Sequence, residues 1–214
     1  MHRVYLELGP KKVFACSADW PGWARIGRSE EAALAALADY APRYRVIAER
    51  AGLGFEPGDP AVAERVRGGT TTDFGAPEAV AALHGEPEDE AGARRSVALL
   101  RAAWDTFGEV AAVSPEELRK GPRGGGRDRD RMVSHVVEAE RAYARKIGVR
   151  HRPFAPDDLA ALSAMRDEIA DVLARPSGGE PPVPNGWPPR YAVHRIAWHV
   201  LDHLWEMQDR SEPG

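Results

Sequence analysis

Seven histidines are spread along the chain, at positions 2, 84, 135, 151, 194, 199 and 203, and two of them, His199 and His203, form an H-x-x-x-H pair. On a helix, residues four apart are neighbours, with about 5–6 Å between Cβ atoms, so both imidazoles can converge on one ion. The pair shares a stripe with Ile196, Val200 and Met207, which turns it toward an apolar interior. His135 stands between Met132 and Val136 and leans toward the core side of its own segment. Three neutral imidazoles with an open fourth position suit a catalytic metal, because the vacancy admits water or substrate. The plain alternative is three packing or surface histidines satisfied by backbone or carboxylate groups. Glu138 and Asp202 are the nearest carboxylates considered, either as acceptors that orient an imidazole or as a base. Their three-residue offset, about 60° around a helix, equally permits a surface position. His194, about 140° from the face of His199, is not expected to be a ligand, and His2, His84 and His151 are expected at the surface.

Helices must position these residues, and the second half of the sequence supplies four. Val97, Leu100, Trp104, Phe107 and Ala111 alternate three and four apart, one buried stripe. Met132, Val136, Ala139, Tyr143 and Ile147 repeat the pattern after Gly121-Pro122-Arg123-Gly124-Gly125-Gly126. Leu159, Leu162, Met165, Ile169 and Leu173 follow Pro156, and Val193, Ile196, Val200, Leu204 and Met207 follow Pro188-Pro189. Four such stripes predict an antiparallel four-helix bundle over residues 91–214. Residues 1–75 read differently. Val4–Leu8 and Lys12–Cys16 are short β-prone runs separated by Gly9-Pro10, a hairpin signal. Ser29 is an N-cap for one helix running to about Ala51, with Glu30 and Glu31 in its first turn, and Ala61 to Arg67 is a further strand candidate. Residues 68–90, with Gly75, Pro77, Gly85, Pro87 and four acidic residues between 86 and 90, look like a linker, its bounds taken as 76–90. The expected class is α+β: a small hairpin/helix module followed by the bundle.

Composition narrows the function classes. The chain has 214 residues, 43% of them hydrophobic and 29% charged, an ordinary globular balance. One cysteine, Cys16, excludes a disulfide framework and a multi-cysteine metal site, so any metal relies on His, Asp or Glu. A net charge of -4 argues against a nucleic-acid binder held by phosphate contacts. No apolar run is long enough for a membrane span and no signal-peptide pattern opens the chain, which gives a cytoplasmic expectation. The Gly124-Gly125-Gly126 run lacks the G-K-[ST] of a phosphate cradle. Arg123, Arg127, Arg129 and Arg131 alternate with Asp128 and Asp130, a solvated, partly self-neutralised helix start, although an arginine there is placed to meet an acidic substrate over the metal.

Ser134-His135-Val136-Val137-Glu138-Ala139-Glu140 on one helix and Arg195-Ile196-Ala197-Trp198-His199-Val200-Leu201-Asp202-His203 on the last resemble the DinB-like metalloprotein superfamily over roughly residues 90 to 210. The resemblance implies a four-helix bundle with a divalent metal bound by His135, His199 and His203. Zinc is the default ion, with nickel or iron possible. It also implies an activity on a small electrophilic molecule, by transfer or hydrolysis, in some relatives with a low-molecular-weight thiol such as bacillithiol or mycothiol, and a homodimer. Asp19-Trp20-Pro21-Gly22-Trp23 with Gly27-Arg28-Ser29-Glu30-Glu31-Ala32 resembles the HicB-type antitoxin module, with Trp20 and Trp23 in place of smaller residues and no recognisable DNA-binding segment. That implies a borrowed fold used for packing, dimerisation or covering the bundle. The competing class is a non-enzymatic metal-binding or structural protein whose N-terminal module mediates partner binding.

Overall fold

The structure, a computed structural model, describes residues 1–120 and 126–211. The N-terminal part is a four-stranded mixed sheet in the order β3-β2-β1-β4, built from β1 (His2–Leu8), β2 (Val13–Ser17), β3 (Ala24–Gly27) and β4 (Pro60–Arg67). The expected hairpin is present, with β1 antiparallel to β2, while β4 runs parallel to β1. A parallel partner needs a crossover, and two helices provide it: α1 (Glu30–Asp39) and α2 (Ala41–Arg50). The single helix expected to Ala51 is broken at Tyr40. Pro42 sits at the second position of α2, where its missing N–H is harmless, whereas inside a continuous helix its ring would clash with the preceding turn. The short strand β3 carries no alternating pattern, and only its ladder to β2 defines it.

Alternation along β1 gives the sheet two apolar faces. Val4 and Leu6 join Ala15, Ala33, Leu37 and Ile47 on the α1–α2 side. Tyr5, Phe14 and Cys16 meet Ala81, Leu83 and Trp198 on the other. The segment expected as a linker therefore packs: after α3 (Thr70–Phe74), residues 76–90 lie against the sheet, with a 3-10 turn at Ala82–Gly85. Glu7, fully buried on β1, holds it there by accepting from Thr72 Oγ1 at 2.6 Å, Ala79 N at 3.0 Å and Glu78 N at 3.1 Å. Its carboxylate is satisfied, which a buried charge requires.

Four longer helices follow: α4 (Glu90–Val113), α5 (Arg129–Ala144), α6 (Leu159–Leu173) and α7 (Pro189–Ser211). Their expected stripes are present, Met132, Val136, Met165, Ile169, Ile196 and Val200 being wholly buried, except that Leu159, expected at the start of the α6 stripe, is 73% exposed at the first position of that helix, before the packed turns begin. Their directions differ from the antiparallel expectation. The C-terminal ends of α4 and α7 meet, Ser211 Oγ lying 3.1 Å from Ser114 Oγ, and their N-terminal ends meet near Glu88 and Arg190, so these two are parallel. Helix α5 starts where α4 ends, Arg129 Nη1 donating to Ser114 O at 3.0 Å, and α6 pairs Asp167 with Arg101 at 2.9 Å. Both run against α4. The connection of residues 148–158 reaches about 36 Å when extended, enough to return along α5, which is about 24 Å long, so short-loop antiparallel order is not enforced.

Helix α7 is central. Fifteen of its 23 residues are buried, more than one face of a helix can hold, so it is covered on several sides. The side of α7 that bears Trp198 and Trp205 meets the N-terminal layer: Trp198 stands edge-on to Phe14, and Arg25 lies over Tyr40 and Trp205 while bonding Asp202 at 2.8 Å. Gly22 permits this contact. Its φ is +84°, and a Cβ there would come within 2.8 Å of the Ala197 side chain, so the Trp20–Trp23 turn rests on α7 only with glycine. No helix among the described residues is long and apolar enough to cross a membrane.

Candidate metal centre

Helices α5 and α7 bring His135, His199 and His203 together. Their ring centroids form a near-equilateral triangle with sides of 4.7, 4.9 and 5.0 Å. One nitrogen from each ring lies within 4.8 Å of the other two. The Nε2 atoms of His135 and His199 are 3.2 Å apart, close to the roughly 3.3 Å between two nitrogens of one tetrahedral ion with bonds of about 2.05 Å. The three rings thus offer a nitrogen donor set that can hold a metal ion.

The third ring is oriented from behind. His203 Nδ1 lies 2.9 Å from Glu206 Oε2, so the carboxylate accepts the Nδ1 proton and leaves the Nε2 lone pair free, the usual support of a metal-ligating histidine. That hydrogen bond holds the Glu206 carboxyl below its ordinary range, and Arg210, 2.9 Å away on the next turn, reinforces it. Burial, then the neighbouring His203 and His135, pushes His199 down to about 2. His135, on the more open side, is also lowered, first by burial and then by Arg127. Both rings stay neutral and keep a lone pair for a Lewis acid. His199 Nδ1 is buried without a hydrogen-bond partner among the described residues. Tyr143 closes one flank, its ring edge-on to His199 at 5.6 Å.

The candidate carboxylates fall elsewhere. Glu138 is exposed, and its side chain makes no hydrogen bond among the described residues. Asp202 is tied to Arg25, with a side chain one-third exposed; burial raises its carboxyl and Arg25 draws it back down. Glu206 takes the orienting role instead. The signal was available in the three-residue step from His203, the same offset that drew attention to Asp202. Glu140 was quoted in the motif without a role. It is wholly buried, accepts from the Trp104 indole and pairs with Arg166 at 3.0 Å, linking α4, α5 and α6.

Two histidines expected at the surface are interior. His84 is fully buried; its Nδ1 accepts from Ala81 N at 3.0 Å, and its ring meets Tyr5, Tyr191 and His194. His2 is 5% exposed and stacks on Trp23 at 5.0 Å. Their burial comes from a sheet and a helix distant in sequence, which no local pattern reports. His151 is half-buried beside Glu168. Arg123, Gly124 and Gly125 of the glycine-rich loop lie outside the described residues; Arg127 is exposed, near enough to His135 and His199 to lower both.

Comparison of the chain with family models, curated proteins and solved structures returns no match. The reading of this centre therefore rests on its own geometry.

Proposed function

We propose that the chain is a divalent-metal-dependent enzyme of the DinB-like kind, with α4–α7 as its four-helix bundle and His135, His199 and His203 as the protein ligands. The convergence of three ring nitrogens, with His203 aimed by Glu206, carries this reading. Zinc is the default ion, and nickel or iron suits the same donors. When bound, such an ion supplies Lewis acidity at an open position, lowering the pKa of a water or thiol nucleophile. The chain's own residues do the rest. Glu206 holds the Nδ1 proton of His203 and fixes its tautomer, while burial around His199 excludes water from one side of the triangle. His135, the least buried of the three, marks the side by which a small electrophile enters. Arg127 stands on that side as a counter-charge for an acidic substrate. The reaction class is transfer to, or hydrolysis of, that molecule, with a low-molecular-weight thiol as the candidate co-substrate. The N-terminal HicB-like layer serves packing on α7, and homodimers in the cytoplasm complete the reading.

The test is elemental analysis of the purified protein, with His135→Ala and His199→Ala/His203→Ala beside it. About one equivalent of a transition metal is expected in the wild type and none in either variant. A wild type that takes up no metal after reconstitution, while remaining folded, makes the three rings packing residues and the protein a structural or binding module.

A further inference from the structure

The N-terminal turns of α4 and α7 meet beneath the Asp19–Pro21 turn and enclose a second cleft, of about 340 Å³, at the opposite end of α7 from Glu206. That volume lies within the range of small-molecule sites. Of the charges around it, Glu56 and the Met1 ammonium stand on exposed residues at the rim, while Asp19 accepts from the backbone and guanidinium of Arg3, and Arg190 donates to Glu86 at 3.2 Å. Away from that rim, two lining groups of opposite sign are not fully answered. Glu88 has a side chain only 13% exposed, yet among the described residues its nearest cation is Arg190 Nε at 4.0 Å and its only side-chain donor is Ser96 Oγ at 3.4 Å. Burial raises the Glu88 carboxyl above its usual range.

Arg95 is the converse. Its guanidinium lies 4.2 Å over the Trp20 ring and spends Nη1 on the Asp19 carbonyl at 2.8 Å. The remaining N–H groups have no acceptor among the described residues. The side chain is held in place before any ligand arrives, which lowers the ordering cost of binding. The Ser96 contact folds the Glu88 carboxylate back over the turn that carries Arg95, so both charges face one space. His2, also in the lining, bonds Gly58 O through Nδ1 at 3.3 Å and has a buried Nε2 without a partner among the described residues.

We propose that this cleft binds a free α-amino acid, its ammonium against the Glu88 carboxylate and its carboxylate against Arg95. A simple anion would meet Glu88 and a simple cation would meet Arg95, each at a like-charge penalty; a small zwitterion satisfies both. The site is independent of the metal reading.

Isothermal titration calorimetry on the full chain, with the standard amino acids up to about 10 mM, tests this. At least one amino acid binds, and its N-acetyl and carboxamide forms each lose about tenfold or more in affinity. Glu88→Gln and Arg95→Met each weaken binding by a similar factor, whereas His199→Ala/His203→Ala binds as the wild type does. Should a cleft variant fail to fold, the blocked ligands on the wild type carry the test alone. No binding by any amino acid overturns the proposal. So does binding that is indifferent to blocking the amine, which would make the cleft an anion site, or binding lost in the histidine double variant, which would move the ligand to the metal centre.

Discussion

Helix α7 carries two histidine clusters, and they differ in what their nitrogens do. In the lower one, His135, His199 and His203 stand 4.7–5.0 Å apart between centroids; in the upper one, His84 and His194 stand 5.6 Å apart, nearly as close. His84 spends Nδ1 on a backbone N–H, so its proton sits on Nε2, and its ring is fitted between aromatic edges as a packing element. In the lower cluster, nitrogens rather than ring faces converge, and a carboxylate behind His203 fixes the tautomer that makes convergence useful. Proximity of histidines is common to both clusters. Orientation by an acceptor on the far side of the ring separates them.

The sharpest way to break that contrast is Glu206→Gln, which keeps the shape of the side chain and weakens its grip on the His203 Nδ1 proton. Metal affinity, measured by competition with a chelating dye, is expected to fall about 10- to 100-fold, while His84→Gln leaves it unchanged. Equal losses from both would erase the distinction. Acid sensitivity comes next, and both clusters share it. Burial holds His84 down to about 4 and His199 down to about 2, from an ordinary 6.5. The unfolded chain accepts protons that the folded one refuses, so stability is complete above about pH 6.5 and is lost as pH falls from there toward the lowered values. Each ring costs on the order of 2 kcal/mol by about pH 5 in metal-free protein. Urea melts at about pH 7.5 and pH 5 measure this, and a midpoint that does not move contradicts the burial of both. The smallest effect is expected from Glu138→Ala: stability within about 0.5 kcal/mol and metal content unchanged. Loss of turnover with metal retained would give Glu138 the base role.

The lower cluster was largely legible in the sequence because its information is periodic. His199 and His203 lie four apart on a stripe shared with Ile196, and His135 follows the phase of Met132 and Val136, so burial and side could be read from spacing. The upper cluster was not legible. His84 is buried against Tyr5 and Tyr191, contacts that exist only once β1 and α7 are in place, and His2, outside that cluster, is buried against Trp23 for the same kind of reason. The same division holds for the fold. The stripes of α4 to α7 and the β1–β2 hairpin follow from local pattern, but their directions depend on how far the connections reach. The break at Tyr40 turned on one proline, and the packed segment at 76–90 on the buried Glu7 carboxylate together with Ala81 and Leu83 against the sheet.

The Arg25–Asp202 pair joins residues 177 positions apart, and that separation has a meaning in time. At about 5–20 residues added per second, some 9–35 s of synthesis separate the sheet from the helix that covers its Phe14 face. Hairpin formation takes about 1–10 μs, so β1 and β2 are able to pair long before Trp198 exists. Through that interval the Phe14 face has only the 76–90 segment to cover it and lacks Trp198, which leaves apolar surface available to chaperones and to neighbouring nascent chains. The pace of translation across α4 to α7, more than the equilibrium stability of the finished molecule, then governs how often the N-terminal layer is captured before it is covered.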